Sequence, residues 1–178
     1  MPEIEIRPAF STDIQKLIDL NHSYTTDYVW QMSLESSDNQ IRVAFREARL
    51  PRSVQVSYPY IPAKLADTWT HRDALLVADS VSGLIGYIGL KTGITPQGVW
   101  ITDLVVERNF RRKGIGSALI FAAEEWCAQQ GLAKLTLEMQ SKNYPAIQFA
   151  YNLGFDFCGY NDQYYDNQDI AIFFSAYV

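Results

Sequence analysis

The stretch of this sequence best equipped for chemistry is Arg111-Arg112-Lys113-Gly114-Ile115-Gly116-Ser117, set between an apolar run ending Leu104-Val105-Val106 and a helical pattern. Glycines there let successive backbone N–H groups converge on one point without side-chain obstruction. The helix that follows adds unpaired N–H groups and the positive end of its dipole. Together they form a seat for an anion such as a phosphate or pyrophosphate, and three cationic side chains add charge in its favour. A capped helix start with a solvated basic turn would use the same residues. Other reactive groups are sparse. Cys127 falls within the helix pattern beside Trp126 and Cys158 within a strand, and neither has a histidine within motif reach, which argues against covalent catalysis through a cysteine. His22 and His71 are the only histidines, and the two cysteines lack metal-ligand spacing, so no metal site is expected.

The elements that must position this loop follow from periodicity. Ile4, Ile6 and Pro8 alternate with charged residues and predict a short edge strand. Ser11 or Asp13 can cap a helix carrying Ile14, Leu17, Ile18 and Leu20. Val29 to Ser33 and Ile41 to Phe45 read as two strands around the polar turn Ser36-Ser37-Asp38-Asn39, although a helix through Tyr28 to Leu34 fits almost as well. Pro59, Pro62 and the run to Thr70 predict a connection with a short helix. Ala74–Asp79, Leu84–Leu90 and Val99–Val106 then form an antiparallel meander, with Gly86 and Gly89 as bulge positions. Ile115, Leu119, Ile120, Ala123 and Trp126 trace one helix face that Gly131 ends. Leu135–Met139 is a strand, Asn143–Asn152 a helix stopped at Gly154, and Phe155–Tyr160 with Ile170–Ser175 a closing hairpin. The predicted fold is a mixed α/β domain: a mostly antiparallel sheet with helices on both faces.

Composition narrows the function classes. The chain has 178 residues, 48% of them hydrophobic, which suits one domain with a substantial core and excludes a disordered chain. Fifteen Lys+Arg against 20 Asp+Glu leave a net charge of −5, the wrong sign for general nucleic-acid binding and mildly favourable to cationic partners. No apolar run approaches the roughly 20 residues of a membrane span. The opening Met1-Pro2-Glu3-Ile4-Glu5 has neither a basic leader nor an apolar signal region, so a cytoplasmic, single-domain protein spanning 1–178 is the expectation.

Two nucleotide-binding readings compete for the glycine loop. A dinucleotide fold wants Gly-x-Gly-x-x-Gly straight after its strand and an acid roughly 20 residues on. Gly114, Gly116 and Glu138 supply parts of that pattern, but Leu119 holds the third small position, Glu107 to Lys113 separate the strand from the glycines, and the strand–helix–strand unit is not repeated. The second reading takes in more of the chain. Leu104-Val105-Val106 with Arg111-x-x-Gly114-x-Gly116, followed by Leu137-Glu138, Asn143, Ala146, Phe149 and Leu153-Gly154-Phe155, resembles the two consecutive motifs of the GNAT superfamily of N-acetyltransferases over residues 75 to 175. Tyr164-Tyr165 through Ile172 also looks like the closing hairpin of the ribosomal-protein alanine and streptothricin acetyltransferase branches.

That resemblance implies acetyl-CoA as donor and a primary amine as acceptor, with 74–178 as the acetyl-CoA-binding core and 1–73 as the variable acceptor side. It implies that the backbone of Leu104, Val105 and Val106 pairs with the pantetheine arm, and that the Val106 N–H donates to the thioester oxygen. Arg111, Arg112, Lys113, Gly114, Ile115, Gly116 and Ser117 would hold the pyrophosphate. Asn143 would bond the pantetheine or cap its own helix. Glu138 matches a glutamate assigned as base in the ribosomal-protein alanine branch and would take the ammonium proton through water, from a place where its strand runs out. Many family members carry a tyrosine four residues before Gly-Phe as the acid for the leaving thiolate; here that position is Ala150, with Tyr151 turned by about 100° on the helix. Water or Tyr144 could serve instead. Tyr24, Tyr28, Trp30, Tyr58, Tyr60 and Trp69 are candidates for an acceptor cleft or for the core, and Asp162, Asp166 and Asp169 for an acidic lip or a solvated loop. His22 or His71 would be structural or touch the acceptor. Three functions follow: a small-amine N-acetyltransferase, a protein N-terminal or lysyl acetyltransferase, and a non-catalytic acyl-CoA-binding module. The sequence leaves oligomeric state, dimer included, open.

Overall fold

The computed structural model describes residues 3–178; Met1 and Pro2, part of the opening read above, lie outside the described residues. Nine strands and four α-helices alternate along the chain. They are β1 (Ile4–Pro8), α1 (Ile14–Ile18), β2 (Tyr24–Ser37), β3 (Gln40–Val56), α2 (Leu65–Thr68), β4 (Ala74–Ser80), β5 (Gly83–Thr92), β6 (Gly98–Val106), α3 (Ile115–Gln129), β7 (Lys134–Gln140), α4 (Tyr144–Asn152), β8 (Asp156–Asn161) and β9 (Ala171–Tyr177). Seven strands form one sheet in the order β1-β4-β5-β6-β7-β9-β8, and β2 and β3 pair separately. All neighbours are antiparallel except β6 and β7, whose parallel pairing needs the α3 crossover between them.

Strand alternation makes two cores. Leu75 and Val77 of β4 face Ile14, Leu17 and Leu65 of α1 and α2, whereas Leu76 and Ala78 face α3 and α4. Helix α3 buries Ile115, Leu119, Ile120, Ala123 and Cys127, a stripe that removes the cysteine from chemistry. Cys158 is exposed on β8. The expected bulges occur: the β4–β5 register shifts opposite Ile85, next to Gly86, and the β5–β6 register shifts between Gly89 and Leu90. Both glycines also permit close approach, since a Cβ on Gly86 would lie 2.7 Å from the Val105 carbonyl oxygen.

One expectation needs correction and one open choice is resolved. The first helix is a single short turn, and neither Ser11 nor Asp13 caps it. Asp13 instead accepts from the Phe10 N–H and from Arg7, which also pairs with Asp79 across β1 and β4. The electrostatic demand of Arg7 outcompetes the local cap and holds the Asp13 carboxyl below its usual range. The residue 24–56 region is the strand pair and not the alternative helix, and it is longer than its alternation suggested. Its central aromatic residues dock on the main sheet: Trp30 lies 5.8 Å from Phe174 and Phe45 lies 5.6 Å from Phe157 between ring centroids.

Candidate active site

The site is built where two strands part. β6 and β7 pair from Gly98–Lys134 to Ile101–Leu137 and no further. Beyond that point β6 stays with β5 as far as Val106, and β7 stays with β9 as far as Gln140. Thr102–Val106 and Glu138–Gln140 therefore diverge as the arms of a V. The Glu107 N–H donates to the Ile85 carbonyl at 2.8 Å, which fixes the phase of the antiparallel ladder. Alternation then turns the N–H and C=O groups of Leu104 and Val106 away from β5 and into the gap. Glu138 is the first β7 residue past the split, so what runs out at Glu138 is its pairing with β6, not the strand, which continues to Gln140.

Two cavities meet at this point. A narrow slot of about 80 Å³ runs between the splayed strands, past Leu104, Asn143, Ala146, Phe149 and Tyr165. A larger cleft of about 540 Å³ opens beside it, walled by Trp100, Tyr87, Tyr164 and Phe173, with Lys64 and Asp166 also on its lining. Tyr58, Tyr60, Thr102, Asp103 and Glu138 border both. Glu138 Oε2 accepts from Trp100 Nε1 and from the Tyr164 hydroxyl, each at 2.9 Å, and Oε1 accepts from the Tyr60 hydroxyl. A carboxylate has about four acceptor sites, so three donors leave one, on Oε1, for an incoming proton. Burial and the Glu138 charge push the Tyr164 hydroxyl up to about 12, and burial first, then Glu138, raises Tyr60 as well. Both tyrosines remain protonated donors near neutral pH.

On the β6 side, Asp103 is buried against Arg72 at 2.7 Å and accepts from the Tyr58 and Thr102 hydroxyls. Neither Asp103 nor Arg72 was among the sequence candidates, nor were Trp100, Tyr87 and Phe173. An acid inside the apolar run Val99–Val106 was the available signal for Asp103, as it was for Glu138 within Leu135–Met139.

The loop before α3 forms as the glycines suggested. Arg112 and Gly114 take positive φ, +62° and +85°. Ala118 is the first residue to donate back, to the Gly114 carbonyl at 3.0 Å, so the N–H groups of Ile115, Gly116 and Ser117 find no helix acceptor among the described residues. Arg112 and Lys113 are exposed. Arg111 is placed differently from its two basic neighbours. Its Nε donates to the Val106 carbonyl at 2.7 Å, Nη1 to Ser23 at 2.7 Å and Nη2 to Asn21 at 2.5 Å. Its N–H bonds the Arg108 carbonyl. The guanidinium is thus a brace between β6 and the segment before β2, with three of its five N–H groups committed to backbone carbonyls. Glu107 reinforces that junction by accepting from the Asn21 N–H at 2.9 Å.

The remaining candidates separate cleanly. Asn143 accepts from the Ala146 N–H at 3.2 Å and caps α4, while also bordering the slot. Tyr151 packs on Phe174 and Trp30, at 5.0 and 5.9 Å, and borders neither cavity. Tyr144 lies against Tyr28 at 5.1 Å, with Glu47 raising its hydroxyl. Of the six aromatic candidates only Tyr58 and Tyr60 line the cleft; Tyr24 bonds Gln140, Trp30 anchors the β2–β3 hairpin and Trp69 packs beside α1 and α2. His22 bridges the Leu20 carbonyl and the Tyr87 hydroxyl, and burial lowers its pKa; His71 is exposed. Asp166 borders the cleft, whereas Asp169 is held by Lys142 and Gln140, each at 2.6 Å. No cluster of metal-ligating side chains occurs among the described residues. Nor is any of their helices long and apolar enough to cross a membrane.

Comparison with known proteins agrees with this geometry. Over 165 residues the chain is 28% identical to streptothricin acetyltransferase of Streptomyces lavendulae, covering 90% of this chain and 86% of that one. A putative ribosomal-protein bS18 alanine N-acetyltransferase of Bacillus subtilis is 29% identical over 98 residues, 54% of this chain and 64% of its own. Among solved structures, nourseothricin acetyltransferase superposes with a TM-score of 0.82 at 23% identity over 98% of both chains. A putative streptothricin acetyltransferase from Bacillus anthracis str. Ames, solved in complex with acetyl coenzyme A, gives 0.76 at 21% identity, covering 99% of this chain and 100% of that one. The Acetyltransferase (GNAT) family model matches residues 39–155, beginning within β2–β3 and well before residue 74. The chain therefore belongs to the GNAT family and is an acetyl-CoA-dependent N-acetyltransferase.

Proposed function

We propose that this enzyme acetylates a primary amine of a small cationic molecule by direct attack within a ternary complex. The observation that carries the reading is the place of Glu138, a carboxylate with one open acceptor site at the junction of a narrow slot and an aromatic cleft. Acetyl-CoA supplies an activated acyl thioester. The slot suits its thin pantetheine arm, with the backbone N–H and C=O of Leu104 as strand-like partners and the Val106 N–H, whose own carbonyl is taken by Arg111, steadying charge on the thioester oxygen. Arg112 to Ser117 hold the pyrophosphate through backbone N–H groups, with Lys113 and Arg112 adding charge; Arg111 acts only by bracing Val106. Asn143 caps α4 and shapes the slot wall. Glu138 takes the ammonium proton.

The acceptor class rests on the cleft and the relatives. Its volume fits a small molecule, its aromatic walls suit a cation, and the −5 net charge favours approach of one. Arg72 neutralises Asp103, leaving Glu138 and Asp166 against Lys64. Streptothricin acetyltransferase as a relative supports the same class. Two free thiols support a reducing, cytoplasmic place of work. The test is thiol release from acetyl-CoA across a panel of streptothricin-type cations, aminoglycosides, polyamines and peptides. Turnover with small cations is expected. Turnover confined to peptides would make it a protein acetyltransferase, and tight acetyl-CoA binding without turnover would make it a binding module.

The anion seat has its own test. Gly116→Asp places a carboxylate beside phosphate and is expected to weaken acetyl-CoA binding at least about tenfold, roughly 1.4 kcal/mol, by calorimetry. A Cβ at Gly116 would already lie 3.2 Å from the Phe149 ring, so Gly116→Ala is the steric control and should lose clearly less. Equal losses would assign the effect to Phe149 and not to charge.

A further inference from the structure

We propose that Tyr165, from the β8–β9 loop, is the general acid that protonates the departing thiolate, an inference that rests on the acetyl-transfer reading above. The need is set by α4. Ala150, at the position where the family resemblance places a tyrosine acid, is fully buried, and Tyr151, about 100° round the helix, packs on Phe174 and borders neither cavity. The acid must therefore come from elsewhere around the slot.

Tyr165 meets the geometric requirements. The residue is 5% exposed and borders the slot together with Asn143, Ala146 and Phe149 of the α4 segment. The neighbouring tyrosine hydroxyls are committed: Tyr24 to Gln140, Tyr58 to Asp103, and Tyr60 and Tyr164 to Glu138. The Tyr165 hydroxyl makes no hydrogen bond of regular geometry among the described residues, though Glu138 lies close enough to influence it. Its position is fixed in advance. The Gln168 N–H donates to the Tyr165 carbonyl at 2.7 Å, and the N–H groups of Tyr164 and Tyr165 both donate to the Asp169 carbonyl. The Asp169 carboxylate is in turn held by Lys142, Gln140 and Asn167. The rings of Tyr60 and Tyr164 meet Tyr165 edge-on at 5.6 and 5.1 Å.

The step balances as follows. The amine nitrogen forms the C–N bond, the C–S bond breaks with its electron pair on sulfur, and sulfur takes the Tyr165 proton. The proton that Glu138 removed from the nitrogen then passes from Glu138 to the nearby Tyr165 oxygen, so the net transfer is from ammonium to thiol. Burial first, and then the Glu138 charge, hold Tyr165 protonated well above the ordinary tyrosine range. When Glu138 takes the amine proton its charge vanishes, and the second of those causes with it. Tyr165 becomes a stronger acid at the moment sulfur departs.

Tyr165→Phe keeps the ring and its packing and is the decisive variant. Its kcat is expected to fall at least about 30-fold, the lower part of the usual range because a thiol leaves readily. Affinity for acetyl-CoA should stay within about twofold, and Tyr151→Phe should lose less than about tenfold in turnover. A readout without turnover compares coenzyme A with desulfo-coenzyme A by calorimetry. The wild type should prefer the thiol by about threefold or more, and Tyr165→Phe should lose that preference. A Tyr165→Phe kcat within about threefold of wild type, or a fall matched by weaker acetyl-CoA binding, overturns the assignment. If that happens while Glu138→Gln is slow, the acid falls and the acetyl-transfer reading stands. If the wild type releases no thiol with any amine, both fall.

Discussion

Glu138→Gln is expected to lower turnover by about 100-fold near neutral pH, with the deficit shrinking as pH rises. The sign follows from the acceptor. A primary amine with a pKa near 10.4 is almost wholly ammonium at pH 7, and its free fraction grows about tenfold per unit of pH until that value. Wild-type enzyme draws on the ammonium form through Glu138, whereas the variant must wait for amine that is already free. The deficit is therefore largest at low pH. Acetyl-CoA affinity should change little, because Glu138 stands only where the slot meets the cleft and lies apart from the loop before α3, and glutamine keeps its size. A competing role is visible in the hydrogen bonds. Glu138 gathers Trp100, Tyr60 and Tyr164, and a glutamine presents an NH₂ group where one of those donors needs an acceptor. Loss of that bond alone would cost about 1–3 kcal/mol of stability and lower activity by the same factor at every pH. Steady-state rates from pH 6 to 9, with a melting curve for the variant, separate the two. A deficit independent of pH would make Glu138 an organiser of the aromatic wall and remove it as the base.

Legibility in the sequence followed the physics of each feature. The meander, α3 and β7 were readable because buried strands and a one-faced helix leave periodic apolar patterns, and the glycines at 114 and 116 marked the loop because few other residues fit there. The split between β6 and β7 was not readable from periodicity. Thr102 to Val106 alternate as any strand does, and only the end of the pairing at Ile101–Leu137 shows that they lack a neighbour on the β7 side. Arg111 looked like an anion ligand because a sequence reports charge but not the three carbonyls that claim it. Most of the aromatic candidates failed for a related reason. Trp30 and Tyr28 have the chemistry of a cleft wall, yet β2–β3 needs large rings to dock on Phe174 and Tyr144. Conversely, Arg72 and Trp100 reach the cleft through contacts between elements distant in the chain, which no local pattern encodes.

The largest effect on stability is expected at Asp103. Asp103→Leu should lower the free energy of unfolding by about 3–5 kcal/mol, because it strands the Arg72 cation without its partner. Arg72 is 14% exposed at its side chain and Asp103 is 6% exposed, so solvent replaces little of what is lost. The Tyr58 and Thr102 hydroxyls lose an acceptor in the same change. Gly89 shows how closely the fold is fitted around the pair: a Cβ there would lie 2.7 Å from Arg72 Nε, Asp103 Oδ2 and Thr102 Oγ1 alike. The glycine that marked a bulge in the sequence therefore also makes room for an ion pair that the sequence did not disclose. Removing both charges should behave differently from removing one. Burying two ions carries a desolvation cost that their attraction only about offsets, so Arg72→Met with Asp103→Leu should recover most of the loss. Denaturant unfolding of the two single variants and the double variant gives the coupling directly. Additive losses in the double variant would mean that the hydroxyl network of Tyr58 and Thr102, and not the ion pair, holds the floor of the cleft.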